Sequence, residues 1–200
     1  MKKVITDQNS YDEIEDIVLI RAYAKGDEKA FEILYYRYRQ QLYGYLNNLT
    51  GGSSEADEVF SETWQKVIKK LPGYRDDGKF SAWLFRIARN VFIDRIRHNK
   101  PDKFVAMDAE DSIEPTGSDM YSPERELGRT DISKAIDAAL DSLQPEQKEV
   151  FLLREEAQLS FREIAEIQGC SLGTVLSRMR YALKKLRFFL KNIDAGGLLK

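Results

Sequence analysis

The stretch from Ser160 to Arg187, "SFREIAEIQGCSLGTVLSRMRYALKKLR", joins two amphipathic segments at a Gly-Cys-Ser break. Ser160 and Glu163 have the spacing of a capping box, which predicts that a helix begins there. Gly169 predicts the tight turn that ends it. Projected at about 100° per residue, the second segment has one apolar side, which is expected to pack on the domain: Leu172, Val175, Leu176, Met179, Leu183, Leu186 and Leu190. The two segments therefore predict a helix-turn-helix.

The opposite side of the second helix is polar and basic, which suits entry into a DNA major groove. Arg178 has the length and the donors to read guanine edges. Thr174, Ser177 and Tyr181 are placed to contact bases or phosphates. Further along, the cations are expected to hold phosphates: Lys184, Lys185 and Arg187. The alternative is a solvated face on an ordinary helical hairpin.

The chain has 200 residues and a net charge of −2, but its charges are strongly segregated. Residues 66–100 contain 10 basic and 3 acidic side chains, and residues 160–191 contain 7 and 2. The segment before the first block and the segments between the two blocks are acidic. Residues 101–129, for example, contain 3 basic and 8 acidic side chains. Two basic blocks predict two contacts with a polyanion, although solvated helix faces are the alternative reading.

Several classes of protein are disfavoured by composition. Cys170 is the single cysteine, so an internal disulfide is excluded and a cytoplasmic protein is predicted. With one further candidate ligand in His98, we expect no metal site and no Cys/His nucleophile pair. Neither a signal peptide nor an apolar stretch long enough to span a bilayer is seen, so stable membrane insertion is not expected. No enzyme motif and no cofactor site is predicted.

The periodicity along the chain predicts an all-α protein of two small helical domains joined by a flexible acidic linker. One helix is predicted to begin at Asp27, a second to run from Ser54 to the "LPG" at residues 71–73, and a third to begin with Ser81 as its cap. The predicted segments are an N-terminal segment, 1–24; a first domain, 25–100; a linker, 101–129; a second domain, 130–191; and a tail, 192–200.

The third helix of the first domain combines cations with aromatic side chains. Trp83, Arg86, Asn90 and Arg97 project to one side, and Arg89 lies at its margin. Tyr74 and Phe80 lie in or beside the preceding loop, and aromatic rings next to cations are suited to unstacked bases. Phe80 as a core anchor is the competing interpretation. The acidic and apolar helix before it is better suited to a protein partner or to solvent than to DNA.

Three segments in this order resemble bacterial sigma factors of the extracytoplasmic-function group, which have only domains two and four. They are "EADEVFSETWQKV", "FSAWLFRIARNVFIDRIR" and "LQPEQKEVFLLREEAQLSFREIAEIQGCSLGTVLSRMRYALKKL". The resemblance implies a transcription initiation factor without catalytic activity that binds core RNA polymerase and promoter DNA. It also makes an anti-sigma protein a candidate partner. A stand-alone helix-turn-helix regulator of duplex DNA and a helical adaptor are the alternatives.

The resemblance also implies which residues make each contact. Docking on the clamp helices of the largest polymerase subunit falls to Asp57, Glu58, Phe60, Glu62, Thr63, Trp64, Lys66 and Val67. Recognition of the −10 element and its melted strand falls to Tyr74, Lys79, Phe80, Ser81, Trp83, Arg86, Arg89, Asn90 and Arg97. Recognition of the −35 duplex falls to Ser171, Thr174, Ser177, Arg178, Arg180, Tyr181, Lys184 and Lys185.

Two positions depart from the family pattern. Leu176 stands where family members often carry a basic residue, which removes one usual DNA contact. The loop "YRDDGK" is acidic at Asp76 and Asp77, and this loop is a main source of −10 specificity in the family. The promoter sequence therefore cannot be transferred from a relative.

Overall fold

The computed structural model describes residues 14–52, 54–75, 78–99 and 131–195. Every regular element in these ranges is helical, which confirms the all-α prediction. The predicted linker 101–129 and loop residues Asp76 and Asp77 lie outside the described residues. The helices are α1 (Asp16–Ala24), α2 (Glu28–Thr50), α3 (Ser54–Lys70), a 3-10 turn (Leu71–Gly73), α4 (Phe80–Asn99), α5 (Asp131–Asp141), α6 (Pro145–Glu155), α7 (Phe161–Gln168) and α8 (Leu172–Ala195).

In the part of the chain that the structure describes, no helix combines the length and the apolarity needed to cross a membrane.

Helix α2 begins where its cap predicts, because the Asp27 side chain accepts a hydrogen bond from the backbone N–H of Lys29 at 3.1 Å. Two other features differ from prediction. Helix α1 was not predicted, and α4 begins at Phe80, so Ser81 lies inside it and is not its cap. The Ser81 hydroxyl instead donates to the carbonyl of Ala157 at 3.5 Å. A tertiary contact thus replaces the predicted capping contact.

Helices α1–α4 form the N-terminal bundle, in which α2 packs on α1, α3 and α4. Its centre is fully buried and combines aliphatic and aromatic side chains: Leu34, Leu42, Tyr45, Leu46, Val59, Val67, Leu84, Phe85, Ala88 and Val91. The rings of Tyr45 and Phe85 meet edge to face with 5.4 Å between their centroids. Burial of these side chains stabilises the bundle by an amount that grows with the apolar area removed from water.

Helices α5–α8 form the C-terminal bundle, in which α5, α6 and α7 all contact α8. The predicted capping box is present: the Glu163 carboxylate accepts from the backbone N–H of Ser160 at 2.8 Å, and the Ser160 hydroxyl accepts from the Glu163 N–H at 3.3 Å. Gly169 ends α7 in the left-handed region with φ of +67°. This conformation favours glycine because it has no Cβ.

The packed face of α8 is narrower than the seven-residue apolar side predicted from sequence. Val175, Met179, Ala182 and Leu186 are buried, and they follow one another at helical spacing. The other leucines flank this stripe, so Leu172, Leu176 and Leu183 remain 39%, 43% and 45% exposed. The prediction that these three leucines pack on the domain is wrong, because the neighbouring helices reach only the centre of the apolar side.

The two bundles pack against each other through α2 with α6 and through α4 with α7. Gly44 marks the closest approach, since a Cβ at that position would lie 2.9 Å from a carboxylate oxygen of Glu156. This contact brings the acidic helices of the C-terminal bundle beside the basic helix of the N-terminal bundle.

Candidate nucleic-acid and polymerase interfaces

A groove of about 610 Å³ opens between the end of α3 and the start of α4. This is within the range of small-molecule sites, roughly 300–1,000 Å³. Five of its lining side chains are basic and two are aromatic. The lining residues are Lys69, Lys70, Gly73, Tyr74, Arg75, Lys79, Ala82, Trp83, Arg86 and Glu166. Cations around an aromatic wall are suited to a nucleotide, with its phosphate on the cations and its base on the rings.

The aromatic wall of this groove is a cluster of three rings. The Tyr74 centroid lies 4.8 Å from that of Trp83 and 5.7 Å from that of Phe80. Phe80 is buried, whereas Tyr74 and Trp83 are partly exposed. Phe80 therefore anchors the core, as its competing interpretation proposed, and holds the other two rings at the groove.

Not all of the predicted −10 residues meet at the groove. Lys79 and Arg86 line it together with Tyr74 and Trp83, and both cations pair with Glu166 of α7. Arg89 projects elsewhere: its Nε donates to the buried carboxylate of Glu149 at 2.8 Å. The remaining α4 residues, Asn90 and Arg97, are exposed and lie outside the groove lining.

Sequence reasoning missed three cations of this groove. Lys69 and Lys70 close α3, and Arg75 follows the 3-10 turn. They are part of the net positive charge of residues 66–100. The signal was therefore present, but the turn that brings the end of α3 beside α4 was needed to place these cations in one site.

The beginning of α8 is organised by short polar contacts. The Ser171 hydroxyl accepts from the Thr174 N–H at 3.0 Å and so caps the helix. Arg178 is partly buried. Its Nη1 donates to Oε1 of Gln168 at 3.0 Å and lies 3.5 Å from the sulfur of Cys170. This contact orients the guanidinium at the turn between the two helices.

Most of the other predicted −35 residues are exposed, whereas Thr174 and Ser177 are partly buried like Arg178. Tyr181 is among the most exposed aromatic side chains described, and Arg180 and Lys184 are exposed on the same helix. Ser177 is half-buried, while Lys185 donates to the backbone carbonyl of Ser142. The polar side of α8 therefore presents cations and hydroxyls to solvent along several turns.

The predicted polymerase surface divides into an exposed face and a buried support. Asp57 and Glu58 are exposed, whereas Thr63 and Val67 are fully buried and Trp64 is 5% exposed. The last three were predicted to contact polymerase, and their burial argues against a direct contact. They pack beneath the face instead, with the Thr63 hydroxyl donating to the Val59 carbonyl at 2.7 Å.

The exposed face of α3 is held by ion pairs. The Lys66 ammonium lies 2.9 Å from the Glu62 carboxylate, and this hydrogen bond lowers the pKa of Glu62. Arg95 of α4 also contacts Glu62 and Glu58 and contributes to the lowered pKa. The carboxylates of this face are thereby held in a fixed arrangement.

Aromatic residues that sequence reasoning missed extend the α3 face onto α2. The Tyr43 ring lies 5.6 Å from Phe60, and its hydroxyl donates to Asp57 at 3.0 Å, which raises the pKa of Tyr43. Tyr36 is also exposed, next to Tyr35. These tyrosines follow one another on the outer side of α2. Aromatic side chains are enriched in protein-binding surfaces relative to the rest of a protein surface.

Two protein families match the chain, one in each bundle. Sigma-70 region 2 matches residues 34–101, and Sigma-70 region 4 matches residues 133–186. The RNA polymerase sigma-H factor of Pseudomonas aeruginosa is 30% identical over 170 residues, which cover 82% of this chain and 88% of the relative. The ECF RNA polymerase sigma factor SigW of Bacillus subtilis is 31% identical over 182 residues, covering 87% and 96%.

The chain belongs to the extracytoplasmic-function group of the sigma-70 family. This sigma factor is a transcription initiation factor, as the resemblance implied. Its fold is similar to that of the sigma factor RpoE of Bartonella quintana, solved in complex with the anti-sigma factor NepR. That similarity has a TM-score of 0.62 and 24% identity, over 82% of this chain and 98% of the other.

Proposed function

We propose that this sigma factor recognises promoters with two surfaces while its α3 face holds core RNA polymerase. The groove beside α4 takes bases of the melted −10 strand, and α8 reads the −35 duplex. The domains that carry these surfaces are residues 25–100 and 130–191, and the segment 101–129 links them. The chain contributes binding energy and has no catalytic activity of its own.

The observation that carries this proposal is the combination of cations and stacking rings in one groove. Tyr74 and Trp83 supply π-faces, while Lys79 and Arg86 stand beside them. Separating DNA base pairs costs about 1.4 kcal/mol per step in stacking on average. A base stacked on an aromatic side chain returns about 1–3 kcal/mol. A few captured bases are therefore enough to hold a short melted segment open.

The helix-turn-helix supplies the second contact. Arg178 reads a base edge from its position at the turn, and the exposed Arg180 and Lys184 hold phosphates. Each contact alone is weak. When both bundles are bound to one polymerase, the second DNA contact becomes intramolecular. The two contacts together then select a promoter that neither bundle would bind stably alone.

The partners follow from this role. Asp57, Glu58, Glu62 and Lys66 meet the clamp helices of the largest polymerase subunit, and the aromatic ring of Phe60 adds apolar contact beside them. The factor acts in the cytoplasm, where bacterial transcription takes place. Because a related fold was solved with an anti-sigma factor, an anti-sigma protein that covers these surfaces is a candidate partner.

Reconstituted transcription tests the proposal. Core polymerase, the purified chain and fragments of genomic DNA from the source organism should give transcripts from a restricted set of start sites. On a promoter found in this way, Trp83→Ala should reduce melting, followed with a fluorescent base analogue in the −10 strand. We expect a loss of about 1–3 kcal/mol, which is the contribution of one stacked base.

The matched control is Lys29→Ala, which removes an exposed side chain that does not line the groove. It should melt the promoter like the unaltered chain. Both variants should bind core polymerase with unchanged affinity. Loss of polymerase binding by Trp83→Ala, or transcripts that start without regard to sequence, would contradict the proposed roles.

A further inference from the structure

Helix α1 has no part in the proposed function, although it packs against the turn that leads into the groove. Its contacts are with α2 and with the 3-10 turn Leu71–Gly73, which is followed directly by Tyr74. Leu19 and Ile20 are the buried side chains of α1, and they belong to the hydrophobic core. Helix α1 therefore supports one side of the groove without lining it.

The first residue of α1 joins this helix to α2 through its carboxylate. Asp16 Oδ1 accepts from Arg37 Nη1 at 2.5 Å, and Asp16 Oδ2 accepts from the Tyr38 hydroxyl. Both side chains of the ion pair are 21% exposed, so salt screens it less than a pair on the open surface. Burial and the hydrogen bond to Asp16 raise the pKa of Tyr38 well above its usual range. The hydroxyl therefore stays protonated as a donor, and the tyrosine ring is held at its outer end.

The Tyr38 ring contacts the aromatic wall of the groove. Its centroid lies 5.3 Å from that of Phe80, and the two rings meet edge to face. Phe80 is 2% exposed and lies 5.7 Å from Tyr74 and 5.6 Å from Trp83. Aromatic contacts of this kind depend on the angle between the rings, so each ring restricts the orientation of its neighbour. A continuous chain of contacts therefore joins Asp16 to the two rings proposed to stack on bases.

The restraint on these rings affects how well they bind a base. A side chain that is already fixed in the free protein loses little conformational entropy when a ligand contacts it, whereas a mobile side chain loses more. Tyr74 and Trp83 are partly exposed, so the buried ring beneath them supplies much of their restraint. Loss of the hydrogen bond to Tyr38 should therefore weaken stacking without removing any residue that is proposed to contact DNA.

We propose that Asp16 is a positioning residue for promoter melting. Its carboxylate fixes Tyr38, and Tyr38 fixes Phe80, which sets the orientation of Tyr74 and Trp83. Helix α1 thereby contributes to capture of the melted strand, although the described lining of the groove contains none of its residues. This inference rests on the proposed function, since it takes Tyr74 and Trp83 to stack on bases.

The test uses the full chain with core polymerase, on a promoter found by reconstituted transcription. Tyr38→Phe keeps the ring and removes the hydroxyl, whereas Asp16→Ala removes the acceptor of that hydroxyl. Asp16→Asn is the conservative variant, because an amide can still form a hydrogen bond with the hydroxyl. The matched control is Tyr23→Phe, which removes a hydroxyl from α1 itself, on a ring that packs against Phe31.

The measurements separate positioning from a general loss of structure. Melting is followed with a fluorescent base analogue in the −10 strand, polymerase affinity by titration, and folding by chemical denaturation. Acrylamide quenching of tryptophan fluorescence in the free chain reports on the groove directly. The chain has two tryptophans, and Trp64 is 5% exposed, so quenching reports mainly on Trp83.

We expect Tyr38→Phe and Asp16→Ala to lower the equilibrium constant for melting roughly threefold to tenfold, because one or two side chains must then be ordered on binding. Both should make Trp83 more accessible to acrylamide, and neither should change polymerase affinity. The double variant should melt the promoter about as well as the poorer single variant, since Asp16 acts through Tyr38. Asp16→Asn should retain most of the melting, and Tyr23→Phe should match the unaltered chain.

Several outcomes would overturn the role of Asp16. Unchanged melting in Tyr38→Phe and Asp16→Ala would do so, whether or not the quenching of Trp83 changes. An equal loss in Tyr23→Phe, or a fully additive loss in the double variant, would show that Asp16 does not act through Tyr38. A loss of polymerase affinity as large as the loss of melting would show a general structural role.

Trp83→Ala separates failure of this inference from failure of the proposed function. If Trp83→Ala impairs melting but Tyr38→Phe and Asp16→Ala do not, only the positioning role is refuted. If Trp83→Ala melts the promoter like the unaltered chain, the groove does not stack on the −10 strand. The proposed −10 role is then refuted, and the positioning role falls with it.

Discussion

The basic helices α4 and α8 present their cations to different surroundings. On α4, Arg86 and Arg89 pair with Glu166 and Glu149 of the opposite bundle. On α8, Arg180 is exposed and pairs with no carboxylate of the described residues. Carboxylates of the other bundle thus cover part of the predicted −10 surface of α4, whereas Arg180, Tyr181 and Lys184 of α8 are exposed. A cluster of positive charge in a sequence therefore indicates a surface for anions, but it does not distinguish DNA from a neighbouring domain.

The acidic segment between the basic blocks explains this difference. Residues 130–159 contain 3 basic and 7 acidic side chains, and they include α6, which packs on α2. The basic segments of a chain are attracted to its own acidic segments as well as to a polyanion. If α4 binds nucleic acid as proposed, both contacts would use the same cations, Arg86 and Arg89.

The largest expected effect tests whether the bundles unfold together. Phe85→Ala removes a fully buried ring that packs on Tyr45, directly beneath the contact between the bundles. It should lower the free energy of unfolding by about 3–5 kcal/mol. Ile164→Ala is the matched variant in the C-terminal bundle, with an expected cost of about 2–5 kcal/mol. Chemical denaturation followed by circular dichroism measures both.

If the bundles form one cooperative unit, each variant should shift a single transition to lower denaturant. If they are independent, two transitions should appear, and Phe85→Ala should move only one of them. The second result would show that the two bundles unfold independently of each other. It would also limit the contact between the bundles to a small share of the stability.

Much of the C-terminal bundle could be predicted because its signals are local. The cap at Ser160, the turn at Gly169 and the buried stripe of α8 all depend on residues within a few positions of one another. Capping and helical periodicity express such local relations directly. The width of the packed face was overestimated, since periodicity orders side chains around a helix but does not say how far its neighbours reach.

The N-terminal bundle was predicted less well because its surfaces depend on distant residues. Helix α1, "DIVLIRAYA", is apolar almost throughout, so it lacks the alternation that marks an amphipathic helix. Trp64 is buried by Phe31 and Tyr35, about thirty residues earlier in the chain. Glu149 did stand out in the sequence as a carboxylate on the apolar stripe of α6, a position that indicates a buried partner. Its partner Arg89, 60 residues away, could not be inferred from that position.

The next effect tests whether the polar side of α8 contacts DNA. If Arg178 reads a base edge as proposed, Arg178→Ala should cost about 1–3 kcal/mol in discrimination at one base pair of the −35 element, which is the contribution of one bidentate base contact. Lys184→Ala should weaken binding to all sequences alike and reduce the salt dependence by about one phosphate contact. Transcription from promoters with single substitutions measures both. Loss of polymerase binding by Arg178→Ala would contradict this role of α8.

A smaller effect distinguishes two glycines at the helix-turn-helix. Gly169 has φ of +67°, where a Cβ is strained, so Gly169→Ala should destabilise the chain by about 1 kcal/mol. Gly173 lies in the first turn of α8, and a Cβ there would meet the Ser171 hydroxyl at an ordinary 3.6 Å. Gly173→Ala should therefore stabilise by about 0.4–1 kcal/mol. Thermal unfolding should move in opposite directions, and shifts of the same sign would contradict the assigned turn.

The smallest effect contrasts one carboxylate from each bundle. The Lys66 ammonium, aided by Arg95, lowers the pKa of Glu62, whereas burial, aided by Glu155, raises the pKa of Glu156. Glu62 stabilises the fold above its unfolded pKa of about 4.3, and this is lost as pH falls through the lower folded value. Glu156 contributes its stability below the unfolded pKa and loses it as pH rises through the higher folded value.

Substitution by glutamine should therefore act in opposite directions at neutral pH. Glu62→Gln should destabilise slightly, by an amount that shrinks with added salt because the pair is partly exposed. Glu156→Gln should stabilise slightly, because a neutral amide facing Gly44 replaces a partly desolvated charge. Unfolding measured from neutral to acidic pH should show both differences fading as the carboxylates protonate. Equal shifts for the two variants would mean that the surroundings of these carboxylates do not differ as their contacts imply.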